Sequence, residues 1–226
     1  MATETTKDAV INTGGIPANQ QANLNVTTGS GGTVIANTGT VSGLSAEVTG
    51  NVVATGGTYQ SATFEFGTSS TGANPTLTVS NANLTGTTII GGTTPDAFNL
   101  GSGGGSAKSS ATTISKDTTA DFGQGADSVS FLKKSLDKDS TYKMGAGADS
   151  ITFGRNSASK RGRIELGGSD KAGDVVDINK KADVKKLKIT QFGKEDILKI
   201  GGKTLDYDQL QDRDGKVGKN ITIKFD

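Results

Sequence analysis

Short apolar and threonine-rich runs alternate with Gly, Thr, Ser and Asn between Val26 and about Ile90. They are Thr33-Val34-Ile35, Glu47-Val48, Asn51-Val52-Val53, Thr63-Phe64-Glu65-Phe66, Thr76-Leu77-Thr78-Val79 and Thr88-Ile89-Ile90. Period-two alternation places one side of each run in a core, and closely spaced turn signals between such runs predict a β-sandwich or a β-solenoid. The alternation continues through Val129-Ser130-Phe131 and Ile151-Thr152-Phe153 to Leu187–Phe192, Asp196–Gly202 and Asn220–Phe225. Only Asp206–Leu210 suggests a helical turn, so the expected fold is all-β.

A second periodicity lies over the first. Gly101, Gly123, Gly145 and Gly167 fall 22 residues apart, each after a large apolar residue. Self-similarity at a fixed period of this length predicts a solenoid in which one repeat makes one coil of strand, turn, strand, turn. The expected organisation is an extended or disordered arm over 1–25 and a Thr/Gly-rich β domain, sandwich or solenoid, over 26–97. A short parallel β-roll follows over 98–179. A β-rich cap over 180–226 covers the last coil, since an open coil is an unpaired sheet edge.

Composition narrows the function. Hydrophobic residues are 32% and aromatics 5%, with 33 Gly and no Cys, His or Trp. A thin core without disulfides needs hydrogen-bond ladders, metal ions or neighbouring subunits. The absence of His removes Ser-His and Cys-His catalysis and most zinc chemistry, which points away from an enzyme. No apolar run reaches membrane-spanning length, so no membrane insertion is expected. Residues 1–20 lack the basic and apolar regions of a cleaved secretory signal. Residues 1–110 carry two basic and five acidic residues, whereas 111–226 carry 22 and 18. Basic and acidic residues are interleaved without an aromatic pattern, so no nucleic-acid role is expected.

The chemistry gathers at Gly123-x-Gly125-x-Asp127-x-Val129-x-Phe131 and Gly145-x-Gly147-x-Asp149-x-Ile151-x-Phe153. Both resemble the RTX, or hemolysin-type, nonapeptide Gly-Gly-x-Gly-x-Asp-x-U-x, in which U is a large apolar residue. The phrase Ile189-Thr190-Gln191-Phe192…Asp196-Ile197-Leu198-Lys199-Ile200 is similar to the segment that often closes such regions. The resemblance implies a Ca2+-binding roll, with Gly123, Gly125, Asp127, Gly145, Gly147 and Asp149 around one ion. Asp170 and Asp174 would help to hold a second. Three departures stand out: Phe122 and Met144 replace the first glycine, the period exceeds the family's 18, and Gly105 stands where the first repeat should have Asp. The metal-free alternative has Asp127 and Asp149 capping their turns through backbone hydrogen bonds.

Asp212-x-Asp214-Gly215 begins like an EF-hand loop but lacks the closing Glu, and is expected to be a hairpin turn. The run Lys180, Lys181, Lys185, Lys186, Lys188 is expected to be a solvated sheet edge, with contact to an acidic polymer as its functional alternative. The expected function is a non-enzymatic structural protein of a virion or extracellular surface. It would be a decoration or appendage protein that forms homo-oligomers or docks on a capsid or surface layer. The alternatives are an RTX-type secreted surface-layer protein or an adhesin taking an acidic glycan. A more remote one is a β-helical polysaccharide lyase using Arg155, Arg161 or Arg163.

Overall fold

The computed structural model describes residues 2–6, 10–12, 24–28, 33–36, 39–67, 74–101, 113–167 and 171–225. Over these residues the chain is a parallel β-solenoid with three faces. One coil consists of a strand in sheet B, one in sheet C and one in sheet A, and the next coil repeats the order. The strands β7 (Asn51–Thr55), β8 (Thr58–Gln60) and β9 (Thr63–Phe66) make one such coil. The set β16 (Ser128–Phe131), β17 (Ser135–Lys138) and β18 (Thr141–Lys143) makes another.

Three strands per coil, not two, account for a repeat of 22 residues. The additional face is sheet C. Its strands β14 (Thr113–Lys116), β17 and β20 (Ala158–Lys160) turn Ser115, Asp137 and Ser159 inward, and these show no apolar alternation. The described parts of residues 1–25 are strands as well: β1 (Ala2–Thr6), β2 (Val10–Asn12) and β3 (Leu24–Thr28), with β1 paired to β3. Sheet B runs without a break across residues 97/98, from β10 (Thr76–Ser80) to β13 (Ala97–Leu100) to β16. It also crosses 179/180, from β22 (Val175–Ile178) to β25 (Ile197–Ile200).

The core is a set of in-register columns. Val52, Leu77, Phe98, Val129, Ile151, Val176 and Leu198 stack along sheet B, each nearly inaccessible to solvent. Phe131 stacks on Phe153 with ring centroids 4.5 Å apart and planes 6° from parallel, while Tyr142 meets Phe131 edge-on at 5.3 Å. Parallel pairing makes each side chain the neighbour of its counterpart one coil on, so like packs on like.

The C-terminal end changes direction. The strand β26 (Lys203–Leu205) folds back antiparallel on β25. A short helix α1 (Tyr207–Gln211) follows, started by Asp206 and Gln209 in a reciprocal capping box. Asp214 and Gly215, both at positive φ, then turn the chain out of α1. They end the helix; the hairpin that follows, between β27 (Lys216–Val217) and β28 (Ile221–Phe225), turns at residues 218–220. Buried Leu210 and the Tyr207–Phe225 and Phe192–Phe225 ring contacts attach this cap to the stack.

Candidate functional site

The corner between sheet A and sheet B carries the glycine-and-aspartate motif. Gly123, Gly145 and Gly167 sit at φ +84°, +91° and +88°, one above another. A Cβ on Gly145 would lie 1.9 Å from the Gly123 carbonyl oxygen, and one on Gly167 would lie 1.7 Å from that of Gly145. Gly125 and Gly147, at φ +138° and +139°, form a second such column, where a Cβ on Gly147 would meet the Gly125 oxygen at 1.6 Å. Only glycine permits both this backbone conformation and this approach. The turns are joined by hydrogen bonds, with the Ala146 N–H donating to Gly123 O at 2.8 Å and the Gly125 N–H to Ala146 O at 2.9 Å.

Behind the glycines the aspartates form a ladder five residues long. The Asp96 N–H donates to Asp127 Oδ1 at 2.7 Å and the Asp127 N–H to Asp149 Oδ1 at 2.7 Å. The Asp149 N–H donates to Asp174 Oδ1 at 2.8 Å, and the Asp174 N–H to Asp196 Oδ1 at 2.9 Å. The two ends are closed locally, Asp96 Oδ2 accepting from the Gly92 N–H and Asp196 Oδ2 from the Gly193 N–H. All five side chains are buried, at 3% exposure or less.

Stacking carboxylates in one column is electrostatically costly. Burial pushes Asp127 from an ordinary 3.8 up to about 7; the Asp96 N–H works against this, and the charges of Asp149 and Asp96 add to it. Burial likewise raises Asp96 to about 6, opposed by the Gly92 N–H. Asp96 Oδ1 and Asp127 Oδ2 are buried oxygens without a hydrogen-bond partner. Such a column can be relieved by a proton or by a hard cation, since its donors are carboxylate and carbonyl oxygens. Among the described residues no three acidic side chains converge on one point. An ion here would therefore draw on Asp96 Oδ1 and Asp127 Oδ2 and complete its shell with carbonyls and water.

Asp127, Asp149 and Asp174 thus share one column with Gly123, Gly125, Gly145 and Gly147 at its turn, whereas Asp170 lies outside the described residues. Two members were missed, Asp96 and Asp196. Their signal was present as Asp-x-U-x-U in Asp96-Ala97-Phe98-Asn99-Leu100 and Asp196-Ile197-Leu198-Lys199-Ile200. The alignment of Gly101 with Gly123 is overturned. Gly101 follows a sheet B strand, and the coil partner of Gly123 is the Gly91-Gly92 pair, whose Gly92 O accepts from the Gln124 N–H at 2.9 Å. The 22-residue spacing from Gly101 to Gly123 is accidental, because the coil between them is longer than the others.

No protein-family model, curated protein or solved structure matches the chain.

A second buried polar cluster sits where sheet C faces sheet A. Tyr142 Oη donates to Asp137 Oδ1 at 3.1 Å and Ser159 Oγ to Asp137 Oδ2 at 2.9 Å, with Ser115 Oγ 3.3 Å from Tyr142 Oη. Burial raises Asp137 to about 6 against the hydrogen bonds of Ser140, Ser159 and Tyr142. Every described hydroxyl of this group faces another polar atom, so it acts as an internal tie between coils. Arg161, one of the arginines considered for catalysis, is held by Asp139 in an exposed ion pair. Arg163 pairs with Glu165 at 2.8 Å.

Proposed function

We propose that this chain is a non-enzymatic structural protein of a particle or cell surface, stiffened by Ca2+ at the aspartate corner. The observation that carries the proposal is the buried ladder from Asp96 to Asp196, in which anions stack in register and two buried oxygens lack partners. A divalent cation there offsets the repulsion and ties neighbouring coils. In its absence Asp127 and Asp96 hold their protons to higher pH than an ordinary carboxyl does. Gly123, Gly125, Gly145 and Gly147 bring backbone carbonyls to the same corner, which is the donor type calcium prefers.

The structural role draws support from the outer faces. Thr76 and Thr78, Ala97 and Asn99, Ser128 and Ser130, and Ser150 and Thr152 follow one another across sheet B as an uncharged surface of small, mostly hydroxyl-bearing residues. Such a surface suits lateral contact with further copies or with a capsid or surface layer. Within this proposal the narrower setting is a virion decoration or appendage protein, because the glycine-aspartate repeats are few.

Calorimetric titration with Ca2+, together with light scattering with and without the ion, tests the proposal. Heat of binding that disappears in Asp127→Asn/Asp149→Asn, and a defined oligomer or array in calcium, are the expected results. Unchanged heat and melting temperature on adding calcium would refute the metal component. A monomer under all conditions would refute the assembly component.

A further inference from the structure

The lysines of the C-terminal half, scattered in sequence, are brought into register on sheet C. One outward column reads Ser42, Gln60, Thr85, Lys116, Lys138, Lys160 and Lys185, each paired with the next across parallel strands. Its first three positions are neutral and its last four are cationic, spaced by the inter-strand distance of about 4.8 Å. A second basic column runs along the other border of the same face. There the turns Leu132–Ser135, Gly154–Ser157 and Asn179–Ala182 stack through the Lys134 N–H to Asn156 O and Asn156 N–H to Lys181 O bonds. Their exposed tips are Lys133, Arg155 and Lys180.

Nearby acids leave most of this charge uncompensated. Lys116 pairs with Asp117 at 3.5 Å and Lys185 with Asp183 at 3.2 Å. Asp139 is committed to Arg161, and Lys138 and Lys160 close no ion pair among the described residues. Like charges directly opposite one another across strands destabilise a sheet. A column of four therefore costs stability unless an external anion lies along it. Between the basic columns runs a partly buried apolar strip of Ile114, Leu136 and Ala158, which ends at the exposed Asp183 beside Lys185.

We infer that sheet C binds a linear acidic polysaccharide lying along the solenoid axis, independently of any calcium at the aspartate corner. Such a polymer presents a regular series of anions together with apolar C–H ring faces, matching lysine columns that flank an apolar strip. A single-stranded nucleic acid fits less well. Among the described residues this face exposes no aromatic ring for base stacking, and its cations are chiefly lysine point charges, with the Arg161 fork already occupied. An anionic membrane fits less well too, since among the described residues the one exposed large hydrophobic residue, Ile90, is on sheet A and could not anchor sheet C.

The test uses the full chain and three probes at low salt: oligogalacturonate, an oligothymidylate of equal charge, and phosphatidylserine vesicles. Oligogalacturonate is expected to bind best, with affinity falling as salt rises. Lys138→Gln/Lys160→Gln is expected to weaken it about tenfold, while Lys199→Gln/Lys224→Gln, on the other two sheets, leaves it unchanged. Circular-dichroism melts verify that both variants stay folded. Absence of oligogalacturonate binding, equal loss in the two variants, or tighter binding of oligothymidylate or vesicles would each overturn the inference.

Discussion

Raising the pH of the calcium-free protein from about 5 to about 8 titrates little besides its buried aspartates, because the chain has no histidine to change charge in that window. Asp127, Asp96 and Asp137 have folded pKa values raised from 3.8 to about 7, 6 and 6. A carboxyl whose folded pKa exceeds its unfolded one holds its proton more tightly when folded. The stability linked to it is fully present below about pH 4 and is lost as pH rises through the folded pKa. Each tenfold gain in proton affinity on folding corresponds to about 1.4 kcal/mol, and the coupled groups titrate together, so the loss between pH 5 and 8 should be of the order of a few kcal/mol. For a chain of this size that is a fall in melting temperature of roughly 10 °C. Calcium should reverse the part due to the ladder at pH 8 and do little at pH 5, where protons occupy it. Calorimetric melts at the two pH values, with calcium or with chelator, read all four states. Asp137→Asn should diminish the pH dependence without touching the calcium response. A melting temperature flat from pH 5 to 8 in chelator, or a calcium effect equal at both pH values, would refute the account.

Four substitutions test the packing. Gly147→Ala should destabilise by about 3 kcal/mol or more, since the new methyl meets the Gly125 carbonyl and the residue keeps φ near +139°; chemical denaturation reads it. Gly39→Ala, with nothing within 4 Å of the added carbon, should be neutral or mildly stabilising in the same assay. Phe131→Ala removes the stacked partner of Phe153 and the edge-on partner of Tyr142, and should cost about 3–5 kcal/mol. Tyr142→Phe leaves the ring and takes the hydroxyl from Asp137; a loss of about 1–2 kcal/mol is expected, with a further rise in the Asp137 pKa visible in its side-chain NMR titration.

Sheet B was legible in the sequence, sheet C was not. Strands such as Val129-Ser130-Phe131 and Ile151-Thr152-Phe153 alternate apolar and polar residues, and each became a sheet B strand. Ser135–Lys138 and Ala158–Lys160 also alternate inward and outward, but Ser135, Asp137 and Ser159 are the inward members, and polarity alone places such residues outside. Their burial is tolerated because Tyr142 and the serines supply hydrogen bonds that only the folded coil assembles. The same blindness hid the third face and led to two strands per repeat. The aspartate ladder was half legible: Asp127 and Asp149 stood in a recognisable glycine frame, whereas Asp96 and Asp196 stood in the right strand context without it. The basic face could not be read at all. Lys116, Lys138 and Lys160 recur at 22 residues, but which of the many lysines share a face depends on the corners.

A parallel solenoid imposes one rule on every position: a residue must be compatible with its own counterpart about 4.8 Å away, coil after coil. Apolar columns satisfy the rule by packing, as Phe131 and Phe153 do, and hydroxyl columns satisfy it by exchanging hydrogen bonds. Columns of like charge do not satisfy it unaided. Two such columns among the described residues are the buried aspartates from Asp96 to Asp196 and the exposed lysines from Lys116 to Lys185. Water screens the lysines, so the fold tolerates them without a ligand, and their repulsion becomes affinity for any polyanion that lies along the column. Water does not reach the aspartates, so that column must be answered within the fold, by protons at low pH or by a bound cation above it. The two columns should therefore differ in their response to salt. Added monovalent salt relieves Lys138 and Lys160 and weakens glycan binding, but leaves the pH-dependent loss at Asp127 nearly intact.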